Sequence, residues 1–157
     1  MAEIKRTSVK EITAGDAAVE GVISGLVAGL ISALLLVVFG LISGDSPGIV
    51  LARFDASLTG NPLLGGIMHL ATSAVYGIGF AVFYRLISRR WNGAHRLAWL
   101  LGLVYGLLLL VIAEVVVLSG LETRLDEFST AVFFAFHIVY GLTLGIVLER
   151  SNNSQTV

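Results

Sequence analysis

The sequence predicts an all-α integral membrane protein built as a bundle of four transmembrane helices. Of its 157 residues, 56% are hydrophobic and only 13% are charged, and the mean hydropathy is +0.90. An average soluble domain has about 25% charged and about 45–50% apolar residues. A soluble chain of this length cannot bury so much apolar surface, so we expect lipid to cover part of it. The composition argues against a disordered chain and a soluble enzyme, and the lack of cysteine argues against a disulfide scaffold.

Four stretches are long and apolar enough to cross a bilayer, which takes about 20 helical residues. They run over about residues 21–43, 63–84, 97–119 and 128–148. Helices are expected because an open sheet edge would leave backbone groups unpaired in lipid. Capping-box spacing, which marks helix starts, occurs before the first span at Thr13 and Asp16 and before the fourth at Thr123 and Asp126.

Three segments lie outside the spans. Residues 1–15 are predicted to be a tail or a weak surface helix, and residues 151–157 a second tail. Within residues 47–58 four apolar side chains recur at helical spacing, which predicts a short helix lying on the membrane surface. These side chains are Val50, Leu51, Phe54 and Leu58.

The basic residues predict the orientation of the chain. Eight of the ten lysines and arginines fall on one side of the four spans, and Arg53 and Arg124 fall on the other. The side richer in lysine and arginine is normally cytoplasmic. We therefore expect both termini and the arginine-rich turn near residues 85–96 in the cytoplasm, and the protein in a bacterial cytoplasmic membrane.

The chain also contains a weak internal repeat. The stretch that begins at Gly25 and ends at Leu30 matches the stretch from Gly102 to Leu107, and residues 75–77 match residues 139–141. Equivalent spans would run in the same direction. The sequence therefore predicts two helical hairpins related as a parallel repeat.

The fourth span carries a resemblance to a known group of proteins. Its motif is His137-Ile138-Val139-Tyr140-Gly141 followed by Leu144-Gly145. The second span has a comparable pattern, His69 followed by Tyr76-Gly77 and Phe80. These motifs resemble small four-span bacterial inner-membrane proteins of unknown function, the YagU-like and related families. The resemblance covers the second to fourth spans and implies a four-helix bundle, with no activity attached to it. The first loop is longer than in those families.

Small residues recur every four positions in each span, where helices in lipid pack closely. We expect these positions to be helix contacts, and one stripe to contact another subunit. The glycines are Gly21, Gly25, Gly29, Gly77, Gly102, Gly106, Gly141 and Gly145.

Polar side chains inside the spans form the candidate site. Ionisable residues in membrane spans are costly and are functional candidates by default. The three ionisable side chains are Glu114, His69 and His137. At a rise of about 1.5 Å per residue, they lie about 7 to 14 Å from the same end of the bundle. We therefore expect one buried polar cluster. Its members would be Glu114, His69, Ser73, Tyr76, His137 and Tyr140.

Several chemistries remain open for this cluster. A structural role, with Glu114 hydrogen-bonded to a histidine or tyrosine, requires no cofactor. His69 and His137 would be the axial ligands if the chain binds haem b. Glu114 and the histidines would serve a proton or ion pathway, although the other half of the spans lacks polar groups. A metal held by the two histidines and Glu114 is the weakest alternative, and no metal is expected.

The function predicted from the sequence is non-catalytic. Motifs for a nucleophile elbow, a zinc helix or a phosphate loop are absent. We expect an accessory or scaffold subunit whose glycine-rich faces pack against a larger membrane complex or against copies of itself. Lipid and other membrane subunits are the expected partners. A net charge of −1 argues against nucleic acid.

Overall fold

The chain forms four long helices and one short one. A computed structural model describes residues 13–91 and 93–154. The helices are α1 (Ala14–Ser43), α2 (Pro47–Ala52), α3 (Pro62–Arg90), α4 (Ala98–Ile112) and α5 (Thr130–Ser154). A 3₁₀ turn (Ala94–Leu97) leads into α4, a π-helical segment (Ala113–Leu118) continues it, and another 3₁₀ turn (Leu125–Glu127) precedes α5.

Four helical stretches are apolar and long enough to cross a membrane: Gly15–Ser43, Pro62–Arg90, Ala94–Leu118 and Thr130–Ser151. The predicted fold class is therefore confirmed. Of the predicted tails, residues 1–12 and 155–157 lie outside the described residues. We call the end of the bundle that holds Arg85 to Arg96 the basic end and the opposite end the α2 end.

The two predicted capping boxes have different outcomes. Thr13 and Asp16 cap α1 reciprocally, with Thr13 N donating to Asp16 Oδ2 at 2.7 Å and Asp16 N donating to Thr13 Oγ1 at 3.2 Å. The second box is wrong, because Thr123 Oγ1 accepts from Leu125 N in the 3₁₀ turn. Ser129, the residue before α5, accepts from Val132 N instead.

The predicted surface helix over residues 47–58 is shorter than expected. It ends at Ala52, and the chain then forms a loop in which Leu58 has a positive φ of 60°. The cause is Asp55, whose carboxylate accepts hydrogen bonds from Ser57 and Thr59. Side chains that bond to nearby backbone and hydroxyl groups compete with helix formation.

The helices pack as two pairs, each joined through glycine. In the α1–α3 pair, a Cβ added to Gly77 would collide with the carbonyl oxygen of Gly21 and lie 2.6 Å from the Cα of Gly25. In the α4–α5 pair, a Cβ added to Gly141 would collide with the carbonyl oxygen of Gly102 and lie 3.0 Å from the Cα of Gly106. Backbones in lipid approach this closely only at small residues.

The remaining predicted packing glycines also lie at contacts within the chain. A Cβ on Gly29 would lie 2.5 Å from Ser73 Oγ, and one on Gly145 would meet the backbone of Ala98. None of the eight glycines predicted from the sequence as packing positions is therefore free to contact another subunit. Any partner surface lies elsewhere on the bundle.

The two pairs join through α1 and α5, which pack extensively. The helices lie in the order α3, α1, α5, α4, and α3 touches α4 only slightly. This leaves an opening on the α3–α4 side of the bundle. Toward the basic end the interior is filled, since Phe80, Tyr84, Leu144 and Leu148 are each 4% exposed or less.

Large apolar side chains cover the outside of the bundle. Ile42 is 77% exposed, Leu63 73% and Val115 65%. A water-soluble protein rarely exposes continuous apolar surface on this scale. The chain is therefore an integral membrane protein, with lipid in contact with these side chains.

Candidate functional site

A cavity of about 480 Å³ lies between α3, α4 and α5, in the half of the bundle nearer the α2 end. Small-molecule sites usually measure about 300–1,000 Å³ and are mostly apolar with a few placed polar groups. Most of the side chains that line this cavity are apolar. The polar or titratable ones along the helices are His69, Thr72, Ser73, Tyr76, His137 and Tyr140.

His69 reaches the cavity from α3 and is held by α1. Its Nε2 lies 2.9 Å from the carbonyl oxygen of Gly29. A carbonyl only accepts, so Nε2 carries the proton and donates. The side chain is 5% exposed. Because α1 carries glycine at this position, the backbone is close enough to be reached from the neighbouring helix.

His137 occupies a related place on α5. Its Nδ1 donates to the carbonyl oxygen of Phe133, one turn earlier in the same helix, at 2.8 Å. This side chain is also 5% exposed. Each imidazole is thus oriented by one backbone carbonyl, through opposite ring nitrogens.

Tyrosine hydroxyls form hydrogen bonds between helices on the side of the cavity that faces the basic end. Tyr140 Oη donates to the carbonyl oxygen of Ser73 at 2.7 Å and links α5 to α3. Tyr105 Oη donates to the carbonyl oxygen of Tyr76 at 2.9 Å and links α4 to α3. Ser73 Oγ donates back to the carbonyl oxygen of His69 at 2.8 Å. The two tyrosine bonds thus connect α3 to both α4 and α5.

The segment after α2 and the loop before α5 form the side of the cavity that faces the α2 end. Arg53 pairs with Asp45 at 2.8 Å and with Glu127 at 3.0 Å, and its guanidinium lies 4.9 Å from the centroid of the Phe128 ring. Arg124 also pairs with Glu127, at 2.8 Å. The hydrogen bonds from Arg124 and Arg53 hold the pKa of Glu127 below its ordinary value.

Asp55 organises the loop that follows α2, at the α2 end of the cavity. The sequence did not lead us to predict this role for Asp55. Its carboxylate accepts from the Ser57 and Thr59 hydroxyls and from Asn61 N, the last at 3.0 Å. These hydrogen bonds hold the pKa of Asp55 far below its ordinary value. The signal was available, because Asp, Ser, Thr and Asn in a short stretch are typical of side-chain-stabilised turns.

The structure brings together five of the six residues predicted as a polar cluster. His69, Ser73, Tyr76, His137 and Tyr140 all line this cavity. Their shared face on each helix was correctly anticipated from the spacing along α3 and α5.

Glu114 is the exception, and its assignment to the buried cluster is wrong. It lies in the π-helical segment, is exposed on the outside of the bundle and does not line the cavity. The estimate that placed Glu114 near the histidines gives only its depth along the helix axis. It does not say toward which side of the helix the side chain points. Leu109 marks the buried side of α4. Glu114 is five residues further on, about 140° around a helix of 3.6 residues per turn.

The geometry bears on the cofactor alternatives. Among residues 13–91 and 93–154, no group of three or more His, Cys, Asp or Glu side chains can hold a metal ion. A haem ligated by both histidines would have to use Nδ1 of His69 and Nε2 of His137, since the other nitrogens are bonded to carbonyls. Phe136 also packs against both imidazoles, with ring centroids 5.7 Å and 4.9 Å away. Haem b binding stays a prediction.

Comparison with known proteins gives no match to a family, a curated protein or a solved structure. The resemblance to the YagU-like families stays a prediction. The cavity and the surface of the bundle are therefore the features that indicate a function.

Proposed function

We propose that this chain is a non-catalytic protein of a bacterial cytoplasmic membrane that binds a small lipid-soluble molecule. The observation that carries the proposal is the cavity of about 480 Å³ beside the opening between α3 and α4. Its walls are mostly apolar, and along the helices two histidines and four hydroxyl side chains of α3 and α5 interrupt them. A molecule dissolved in the bilayer would enter from the side, without crossing water.

The cavity supports binding better than conduction. Phe80, Tyr84, Leu144 and Leu148 fill the bundle toward the basic end. Glu114, the carboxylate expected to serve an ion pathway, lies outside the cavity. Neither observation supports the channel or transporter alternative.

A cavity-filling substitution tests the proposal. Ala113 lines the cavity, whereas Val116, in the same π-helical segment, is 56% exposed and does not. The wild type, Ala113→Phe and Val116→Phe would be purified in mild detergent, checked for equal thermal stability and extracted with organic solvent. We expect mass spectrometry to find a lipid-soluble compound enriched with the wild type and Val116→Phe and depleted with Ala113→Phe. Identical extracts from all three proteins would contradict the proposal. A visible absorption spectrum without a Soret band would exclude the haem alternative.

An accessory-subunit role is the second candidate, and Glu114 favours it. A carboxylate on the lipid-facing side of a span is costly, and polar groups at such positions often bond to a neighbouring helix. Glu114 has no hydrogen-bond or ion-pair partner among the described residues. A second membrane subunit or a second copy of the chain would supply one.

This role predicts a complex that depends on Glu114. We expect size-exclusion chromatography with light scattering to show an assembly in mild detergent that Glu114→Leu dissociates. Val116→Leu, a change on the same exposed segment, should leave it intact. A wild-type extract that contains only the free monomer would contradict the accessory role and leave the binding proposal unaffected.

A further inference from the structure

Each of the two histidines of the cavity has one ring nitrogen that makes no hydrogen bond with the described residues. His69 donates through Nε2 to Gly29, and His137 donates through Nδ1 to Phe133. In a neutral imidazole one nitrogen is a donor and the other an acceptor. In the neutral rings the remaining nitrogens, His69 Nδ1 and His137 Nε2, are therefore acceptors, and a switch to the other tautomer would lose the existing bond to a carbonyl.

These two nitrogens are open to the cavity. Among the described residues, only Arg85 and Ser88 have a fully buried side-chain nitrogen or oxygen without a hydrogen-bond partner. His69 Nδ1 and His137 Nε2 also lack a partner in the part of the chain that the structure describes, but they are not fully buried, and both imidazoles line the cavity. A molecule in the cavity can therefore reach both acceptors.

Aromatic rings surround both histidines. The ring centroid of Phe54 lies 4.6 Å from that of His69, and the centroid of Phe133 lies 4.7 Å from that of His137. Phe136 contacts both imidazoles. Aromatic walls of this kind favour a flat ring in offset or edge-to-face contact. The site thus combines two hydrogen-bond acceptors with surfaces suited to an aromatic ligand.

We propose that the ligand is a lipid-soluble phenol or hydroquinone, bound in its hydroxyl form with hydroxyl groups donating to His69 Nδ1 and His137 Nε2. This inference rests on the proposed binding function and names its ligand class. The quinone form of such a molecule has carbonyl oxygens in place of the hydroxyls. These only accept, so they would face acceptor nitrogens and bind more weakly. The site would therefore select the hydroxyl form.

Calorimetric titration of the full-length protein in lipid nanodiscs tests the inference. Three probes share one ring and one decyl chain: a decylhydroquinone kept reduced under anaerobic conditions, its dimethyl ether and the decylquinone. A hydrogen bond contributes about 0.5–1.5 kcal/mol, so two bonds lead us to expect about fivefold or greater preference for the hydroquinone over the other probes.

Two variants assign the preference to the histidines. His137→Asn keeps an amide donor near the place of Nδ1 and removes the acceptor at Nε2. We expect it to reduce the preference by about twofold or more. His95→Asn, at an exposed position of the basic end and outside the cavity, is the matched control and should bind all probes as the wild type does.

The outcomes separate this inference from the proposed function. Equal affinity of the wild type for the hydroquinone and its dimethyl ether would overturn the inference, while the cavity would still be a binding site. A failure of all three probes to bind would overturn both. Unchanged discrimination in His137→Asn would mean that other groups recognise the hydroxyls, which also overturns it. If His137→Asn fails to fold, the wild-type comparison of hydroquinone with ether still decides.

Discussion

The Tyr140 hydroxyl donates a 2.7 Å hydrogen bond to the backbone carbonyl oxygen of Ser73. This bond joins the α4–α5 pair to the α1–α3 pair. The same carbonyl faces Gly25 of α1, where an added Cβ would collide with it. One turn of α3 thus contacts both α1 and α5, and the Tyr140 and Ser73 side chains at this contact also line the cavity.

Removing the Tyr140 hydroxyl should weaken the contact between the α1–α3 pair and the α4–α5 pair. We expect Tyr140→Phe to lower the free energy of unfolding by about 1 kcal/mol, because the ring stays and one hydrogen bond is lost. Tyr76→Phe is the matched control, since the Tyr76 hydroxyl has no hydrogen-bond partner among the described residues. Unfolding titrations in mixed micelles would measure both. Equal effects of the two substitutions would contradict the assigned role of the Tyr140–Ser73 bond.

The glycine contacts make a sharper prediction. At Gly77 a methyl group would meet the backbone of Gly21 and Gly25, whereas at Gly66, on the same helix, nothing lies within 4 Å of an added Cβ. Overpacking costs about 1–3 kcal/mol, so Gly77→Ala should lower the free energy of unfolding by about that amount. Gly66→Ala should be neutral or stabilising by up to about 1 kcal/mol, because alanine favours the helix. Thermal unfolding in detergent would compare them, and equal stability would argue against the α1–α3 contact.

The sequence was sufficient to predict the spans and the packing glycines but not the register of the repeat. Sequence matching pairs Gly25 with Gly102. The contacts pair Gly25 with Gly106, since these two meet the Cα atoms of Gly77 and Gly141, in each case at 3.0 Å from an added Cβ. The two alignments differ by one helical turn. Glycine recurs every four residues, so the pattern alone does not say which turn contacts the neighbour.

In the candidate site, too, the sequence predicted some features and not others. The spacing on α3 and α5 was enough to place the histidines and tyrosines on one side, because both helices are regular there. The cavity itself depends on the wide separation of α3 from α4, a tertiary property that periodicity does not encode. The loop around Asp55 was missed because the apolar residues before it, at helical spacing, were extended into a helix.

Acid should destabilise the loop at the α2 end. The folded protein lowers the pKa of Asp55, so the carboxylate stabilises the fold above its unfolded pKa of about 3.9, and this contribution is lost as the pH falls further. Glu127, whose pKa is also lowered, acts in the same direction. We expect the melting temperature of the wild type to fall between about pH 4 and pH 2.

Asp55→Asn should lower the melting temperature at neutral pH and flatten its acid dependence. The amide nitrogen would replace one of the two carboxylate oxygens and face the donors of either Ser57 or Asn61, and the group no longer titrates. Asp126→Asn, at an exposed position in the loop before α5, is the control and should keep the wild-type profile. If Asp55→Asn retains the full acid dependence, the Asp55 carboxylate is not its source.

The orientation of the bundle can be measured directly because the chain contains no cysteine. The distribution of lysine and arginine predicts that the basic end is cytoplasmic. A cysteine at the exposed His95 would then be protected from a membrane-impermeant maleimide in intact cells whose outer membrane is made permeable. A cysteine at the exposed Asp126, near the α2 end, should be labelled under the same conditions. After lysis both should react, which controls for access to each site. The reverse pattern would place the cavity in the cytoplasmic half of the bilayer, and its ligand would then enter from that leaflet.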